Sequence, residues 1–277
     1  MTEKWIFINS GPQSASYNMA MDEALLDLHS KGLIPPVVRF YEWSPATLSI
    51  GYFQKADEAV DLEKVKEMGL GFVRRQTGGR AVLHDRELTY SIIVSESHPQ
   101  MPATVTEAYK VISAGLLEGF RNLGLQAELS VPSSTEERDA LKKPKSAVCF
   151  DAPSWYELVV EGRKAAGSAQ TRQKGVILQH GAIPVSMDLD KLVSVFHFAS
   201  EGHRQRMKDK LKNKAVSIEE LSGRSIAMDE VAEAFRTGFQ KALDIEFITR
   251  EPNKEILDLV QALEKEKYAN DSWNFKK

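Results

Sequence analysis

An α+β or mixed α/β fold is predicted for this chain of 277 residues by two observations. Short runs rich in β-branched and aromatic residues alternate with helix-like segments from Trp5 to about Val160, and the last third carries helical periodicity. No repeat of 20–50 residues is present, so a single large domain, rather than an array, is expected.

The elements follow in order. A first helix is expected over residues 16–30, where Ala20, Ala24 and Leu28 share a face with Met21 and Leu25 beside them. Strands are expected at 37–43, 47–53, 71–76 and 88–95. Thr104 and Glu107 form a capping box for a helix over 104–123, whose stripe is Val105, Tyr109, Ile112, Leu116, Phe120 and Leu123, with Gly124 as the stop. Residues 132–146 are polar and charged and read as an exposed loop, with Cys149 directly after it. Runs at 155–160, 164–170 and 176–183 read as three strands of a second sheet. Helices are then expected at 189–196, after a capping box at Ser217 and Glu220, at 229–243 with Val231, Phe235 and Phe239 aligned, and at 253–268.

Composition narrows the function. With 42% hydrophobic and 27% charged residues the chain reads as a soluble globular protein, and no apolar run approaches the roughly 20 residues of a membrane span. The start, Met1-Thr2-Glu3-Lys4-Trp5, lacks a secretory pattern, so a cytoplasmic protein is expected. A net charge of -3 offers no global field for nucleic acid. The basic run at 204–214 reads as a charged helical face, and a local patch of that kind also suits an acidic carrier protein. One cysteine excludes an intrachain disulfide or a cysteine zinc cluster. Six histidines without metal-ligand spacing predict no metal.

Several motifs carry possible chemistry. Gly78-Gly79 lies between two strand-like runs, either as a hairpin turn or as a place where backbone N–H groups approach a ligand. It is neither a Walker A loop nor a Rossmann fingerprint. Cys149 is a small buried hydrophobe or a nucleophile. The lysine-bearing loop before it and Arg163-Lys164 after it favour the second, because a nearby ammonium stabilises thiolate over thiol. Lys164 alone reads more readily as a solvated surface residue than as a functional one. His84 and His180 flank the glycine-bearing segments, and the sequence leaves open whether either is more than a hydrogen-bonded core residue. Ser168 lacks the nucleophile-elbow pattern.

Three segments taken together resemble the biotin/lipoate protein ligase superfamily over roughly residues 30–250: Arg74-Arg75-Gln76-Thr77-Gly78-Gly79-Arg80-Ala81-Val82-Leu83-His84-Asp85, Gly162-Arg163-Lys164-Ala165-Ala166-Gly167-Ser168-Ala169-Gln170, and His180-Gly181. The stretch from Ser146 to Glu157 around Cys149 looks like the cysteine segment of the bacillus-type octanoyl-acyl carrier protein:protein N-octanoyltransferases. The resemblance implies a large mixed sheet plus a smaller sheet flanked by helices, with residues 1–250 as the catalytic domain and 251–277 as a C-terminal helical extension. It implies Cys149 as the acyl-thioester nucleophile and Lys164 as the lysine that contacts the acyl carbonyl and lowers the thiol pKa. Gly78, Gly79 and His84 match positions lining the acyl pocket, and Arg74, Thr77 and Gly167 of the same motifs are assigned to substrate binding. The implied partners are acyl carrier protein as donor and a lipoyl domain, such as the glycine cleavage H protein, as acceptor. Arg80 stands where ATP-using lipoate ligases carry a third glycine, so no ATP or other cofactor is expected. The alternatives are an amidotransferase acting between lipoyl-domain proteins, an ATP-dependent lipoate ligase and a non-catalytic acyl- or protein-binding module.

Overall fold

The structure, a computed structural model, describes residues 2–130 and 157–276; the loop expected at 132–146 and Cys149 lie outside the described residues. Six strands form the main sheet: β1 (Glu3–Gln13), β2 (Val37–Trp43), β6 (Glu87–Ser95), β10 (Gly167–Gln173), β11 (Val176–Pro184) and β12 (Ile245–Thr249). Their order is β10-β11-β6-β2-β1-β12, with β1 parallel to β2 and β12 and the other pairings antiparallel. A second sheet, β4-β3-β5, joins β3 (Thr47–Ile50), β4 (Gly71–Arg74) and β5 (Val82–His84), and a third joins β7 (Ala127–Ser130), β8 (Glu157–Val160) and β9 (Arg163–Lys164).

Alternation along the main strands sends neighbouring residues into two different cores. Val38 and Phe40 of β2 and Tyr90 and Ile92 of β6 face helices α2 (Val105–Asn122) and α4 (Met228–Leu243). Val37, Tyr41, Trp43 and Ile93 face the opposite side, where α1 (Ala15–Ser30) and α5 (Lys254–Leu263) pack. Both faces are therefore covered, which is why β11 is buried at all of its positions. Between α2 and α4 in the chain lies α3 (Glu201–Lys214), a charged helix beside the smaller sheets. No helix among the described residues is long and apolar enough to cross a membrane.

Four expectations are corrected. The runs at 167–173 and 176–184 belong to the main sheet, and only 157–160 and 163–164 join a small one. A strand as thoroughly buried as β11 needs neighbours on both edges, which β6 and β10 supply. Val105 at the head of the predicted stripe of α2 is 51% exposed, because the buried face is displaced toward Ala108, Gly115 and Gly119. Ser217 caps no backbone N–H, since its helix is only five residues long and Glu220 turns outward to pair with Arg163. Gly78-Gly79 is not a hairpin turn: β4 and β5 sit on opposite sides of β3, so the segment crosses over the end of that strand. Thr104, in contrast, does accept the Glu107 N–H at 3.2 Å as predicted.

The displaced face of α2 has a steric origin. Cβ atoms built at Gly115 and Gly119 would lie 2.0 Å from the Phe239 ring and 2.2 Å from the Phe235 ring. At Gly238 a Cβ would fall 2.5 Å from the Gly119 nitrogen and 2.7 Å from the Gly115 oxygen, so α2 and α4 cross backbone to backbone. Gly238→Ala is expected to cost about 1–3 kcal/mol through overpacking, read as a fall in melting temperature. Gly202→Ala, whose new methyl would meet only Arg206 Nη1 at 3.5 Å and the Ser200 hydroxyl at 3.8 Å, is expected to be neutral or mildly stabilising. Equal melting temperatures for the two variants would show that the crossing is not tightly packed.

Candidate active site

One row of paired residues crosses the main sheet on the α1 side: Gly167 of β10 opposite Ala182 of β11, Ala182 opposite Thr89 of β6, and Thr89 opposite Tyr41 of β2. Directly opposed residues turn their side chains to the same face, so this row is a floor whose side chains grow from hydrogen to methyl to hydroxyethyl to phenol. All four line a cleft whose space, part of it open solvent, amounts to about 420 Å³, together with Met19 of α1 and Gly79, Arg80, Val82 and His84 from the smaller sheet and its crossing loop. The bulk of the floor thus rises from the β10 edge toward β2.

At the β2 end the Trp43 indole stacks on the His84 ring, with centroids 4.2 Å apart and planes 14° from parallel. A hydrogen-bond circuit fixes the stack. Trp43 Nε1–H donates to Thr89 Oγ1 at 2.8 Å, Thr89 donates to Glu87 Oε1 at 2.6 Å, and the same carboxylate oxygen accepts from His84 Nδ1 at 2.6 Å. His84 Nε2 meets Ser49 Oγ at 2.7 Å, and that hydroxyl accepts from Arg75 Nη1 at 2.7 Å. Arg75 also donates through Nη2 to the carbonyls of Gly78 and Arg80, which shapes the crossing loop over the cleft.

The next row on the same face is Ala169, His180, Ser91 and Arg39. Three of these reach one carboxylate, Asp22 of α1. Arg39 Nη1 and Ser91 Oγ both donate to its Oδ1 at 2.8 Å, and His180 Nδ1 and the Tyr41 hydroxyl donate to its Oδ2 at 3.2 and 3.0 Å. Burial pushes the Asp22 carboxyl up, but the His180 hydrogen bond and the Arg39 charge outweigh it, so the group stays below the usual carboxylate range. Burial holds His180 below the ordinary histidine pKa despite Asp22, and the charges of Arg75 and His84 push the same way. At neutral pH the ring is therefore uncharged, with its proton on Nδ1 and Nε2 accepting from Thr77 Oγ1 at 2.6 Å.

Of the residues singled out in the sequence, Gly79, His84 and Gly167 line the cleft, and Thr77 is buried behind His180. Gly78 accepts from Arg75 in the crossing loop and packs near Phe53. Lys164 is buried on β9, three residues before Gly167, with its carbonyl accepting the Val216 N–H at 3.0 Å; it is not among the lining residues. Arg74 is elsewhere. Its guanidinium donates to the carbonyls of Gly51, Tyr52, Gln54, Trp273, Asn274 and Lys276, tying the C-terminal residues to the loop after β3. Cys149 lies outside the described residues.

The sequence reading missed Arg75, Trp43 and Asp22. Arg75 adjoins Arg74, and only the end of the β3–β4 pairing at Arg74 decides which arginine reaches the cleft. Asn18 and Asp22 did leave a signal: two polar residues four apart on the face of a helix otherwise buried in apolar contacts.

The titrations have a definite sign. Folded His180 refuses a proton that the unfolded chain accepts below about pH 6.5, so stability is lost as pH falls through that region, and loss continues further down as Asp22 is protonated. Asparagine at position 180 keeps a donor toward Asp22 but does not titrate. His180→Asn is expected to flatten the melting-temperature profile between about pH 5 and 7; a profile parallel to wild type would remove His180 as the source. Comparison with known proteins agrees with this architecture. Residues 14–240 match the lipoyl protein ligase A/B catalytic domain. The chain is 63% identical over 273 residues to the octanoyltransferase LipM of Lysinibacillus sphaericus and 59% identical over 275 residues to that of Bacillus subtilis, covering 99% of both chains in each case. Among solved structures it is similar to the bipartite lipoate protein ligase of Thermoplasma acidophilum, studied with its E2 lipoyl domain, at TM-score 0.80 and 25% identity over 99% of this chain and 96% of that one. It is also similar to a lipoate-protein ligase A bound with ATP, at TM-score 0.76 and 27% identity over 99% of each chain. The chain belongs to the lipoyl protein ligase A/B catalytic-domain family.

Proposed function

We propose that this chain is an octanoyltransferase of lipoate biosynthesis that takes an octanoyl group from acyl carrier protein onto Cys149 and passes it to a lysine of a lipoyl domain, such as the glycine cleavage H protein, without ATP. One observation carries the reading: a cleft of largely apolar exposed lining that includes Gly167, three residues after Lys164, in a chain 63% identical to an octanoyltransferase along its length.

In the first step the Cys149 thiolate attacks the carbonyl carbon of the donor thioester and expels the carrier's pantetheine thiolate; one thioester replaces another at little free-energy change. In the second the acceptor amine attacks the acyl-enzyme, an amide forms, and the Cys149 thiolate leaves as the amine gives up a proton. Lys164 stabilises the oxyanion in both steps and holds the thiol in its reactive form. The acyl tail lies along Gly167, Ala182 and Thr89 toward Tyr41 and Trp43, where the exposed lining is mostly apolar and the tail is removed from water. Arg80 lines the cleft where ATP-using ligases have a glycine, and its side chain takes room a glycine would leave, which supports the ATP-free reading. The similarity to a ligase solved with ATP gives the competing reading its footing.

Intact-protein mass spectrometry separates the two. Octanoyl-acyl carrier protein without ATP is expected to leave a hydroxylamine-labile octanoyl adduct on the wild type and none on Cys149→Ser. Pyrophosphate released with free lipoate and ATP, and no adduct from the carrier, would establish the ligase instead. Trp43→Ala removes the stacked end wall and is expected to raise the rate with decanoyl and dodecanoyl donors relative to octanoyl. An unchanged chain-length profile would show that the wall lies elsewhere.

A further inference from the structure

Helix α3 is rich in basic residues. Its fourteen residues include Arg204, Arg206, Lys208, Lys210, Lys212 and Lys214 against only Glu201 and Asp209, in a chain whose net charge is -3. At four-residue spacing the basic residues form two stripes, Arg204-Lys208-Lys212 and Arg206-Lys210-Lys214, on either flank of the line from Met207 to Leu211. Leu211 is fully buried and fixes the helix to the small-sheet core, while Arg206, Lys210, Lys212 and Lys214 are exposed. Arg204 pairs with Glu201 and Lys208 with Asp190, and the helix as a whole carries four more basic than acidic residues.

The position of the helix matters as much as its charge. Its last turn runs into Ala215, which bridges to Lys164, and Val216 N–H donates to the Lys164 carbonyl. One end of the basic surface thus abuts the backbone of the proposed catalytic lysine. From Arg206 to Ala215 the helix climbs about 13 Å along its axis. A partner centred on α3 therefore sits well away from the reacting end. An acceptor lysine has a short reach and must bring its own protein body to the cleft mouth. A donor that carries its acyl group on a long flexible arm works from such a distance.

We propose that α3 is the docking surface for the donor, an acyl carrier protein that presents an acidic face to Arg206, Lys212 and their neighbours and extends its acyl-bearing arm along the helix toward Lys164. This rests on the carrier-dependent function proposed above. Charge complementarity of this kind governs encounter rate more than residence, so loading from the carrier weakens with salt.

The test separates the two half-reactions in the full-length enzyme. The double variant Arg206→Glu with Lys212→Glu is compared with wild type in three measurements: Cys149 loading from octanoyl-acyl carrier protein, loading from octanoyl-pantetheine, and transfer from preloaded enzyme to a lipoyl domain. The expected result is a roughly tenfold or greater fall in kcat/KM for the carrier-bound donor and a flatter salt dependence. The other two measurements should be unchanged, which also shows that the variant is folded. A fall confined to the lipoyl-domain step would assign α3 to the acceptor and overturn the proposal. So would equal falls with both donors, or no change at all. If wild type loads from neither donor, the function proposed above fails together with this one, whereas failure of the docking proposal alone leaves wild-type loading intact.

Discussion

Asp22 is the constraint on which the rest of the site depends. A carboxylate without access to water must be neutralised and hydrogen-bonded, and the main sheet meets that demand by aligning Arg39, Ser91 and His180 on three adjacent strands beneath it. Leaving such a charge without its partner costs about 3–5 kcal/mol, so the contact fixes the height and rotation of α1 over the sheet. The same contact sets the His180 tautomer, and the tautomer makes Nε2 an acceptor for Thr77. Strand register, helix position and crossing-loop anchorage are thus tied to one buried charge.

The two faces of the sheet divide the labour. The α2–α4 face is apolar and tight, with glycines letting the helices meet backbone to backbone and Phe235 and Phe239 filling the space over them. The α1 face gives up some of that packing for a trough and its polar supports. Such a trough is tolerable because its polar groups are paired with each other: Trp43, Thr89, Glu87 and His84 in one circuit, and Arg39, Ser91, Tyr41 and His180 around Asp22 in the other. Arg74 extends the scheme to the end of the chain. By collecting carbonyls from the loop after β3 and from Trp273, Asn274 and Lys276, it makes the C-terminal residues part of the support for the loop after β3.

Acyl transfer through a thioester asks little of a cofactor and much of placement, since the energy of the acyl group is already present in the donor. An enzyme of this kind needs a channel that aligns the acyl chain and surfaces that admit donor and acceptor in turn. Under the proposed function, the trough crossing four strands and the basic helix followed by Ala215 at Lys164 would serve those two needs, and both adjoin the short segment of residues 163–167.

The sequence by itself determined the elements whose signals are local. A run rich in β-branched and aromatic residues placed β2 at its observed bounds, apolar periodicity with a Thr–Glu cap placed α2 to within a residue at each end, and motif similarity pointed to the glycine segment, His84 and Gly167. What only the tertiary structure decided depends on register between strands distant in the chain. Whether β10 and β11 enter the large sheet, which of Arg74 and Arg75 reaches the cleft, and why Asp22 is tolerated inside a helix all follow from pairings such as His180 with Ser91 and Ser91 with Arg39. A shift of one residue in any of these would turn the whole set to the other face. No local pattern encodes that choice, because it is made by the burial of all six strands at once.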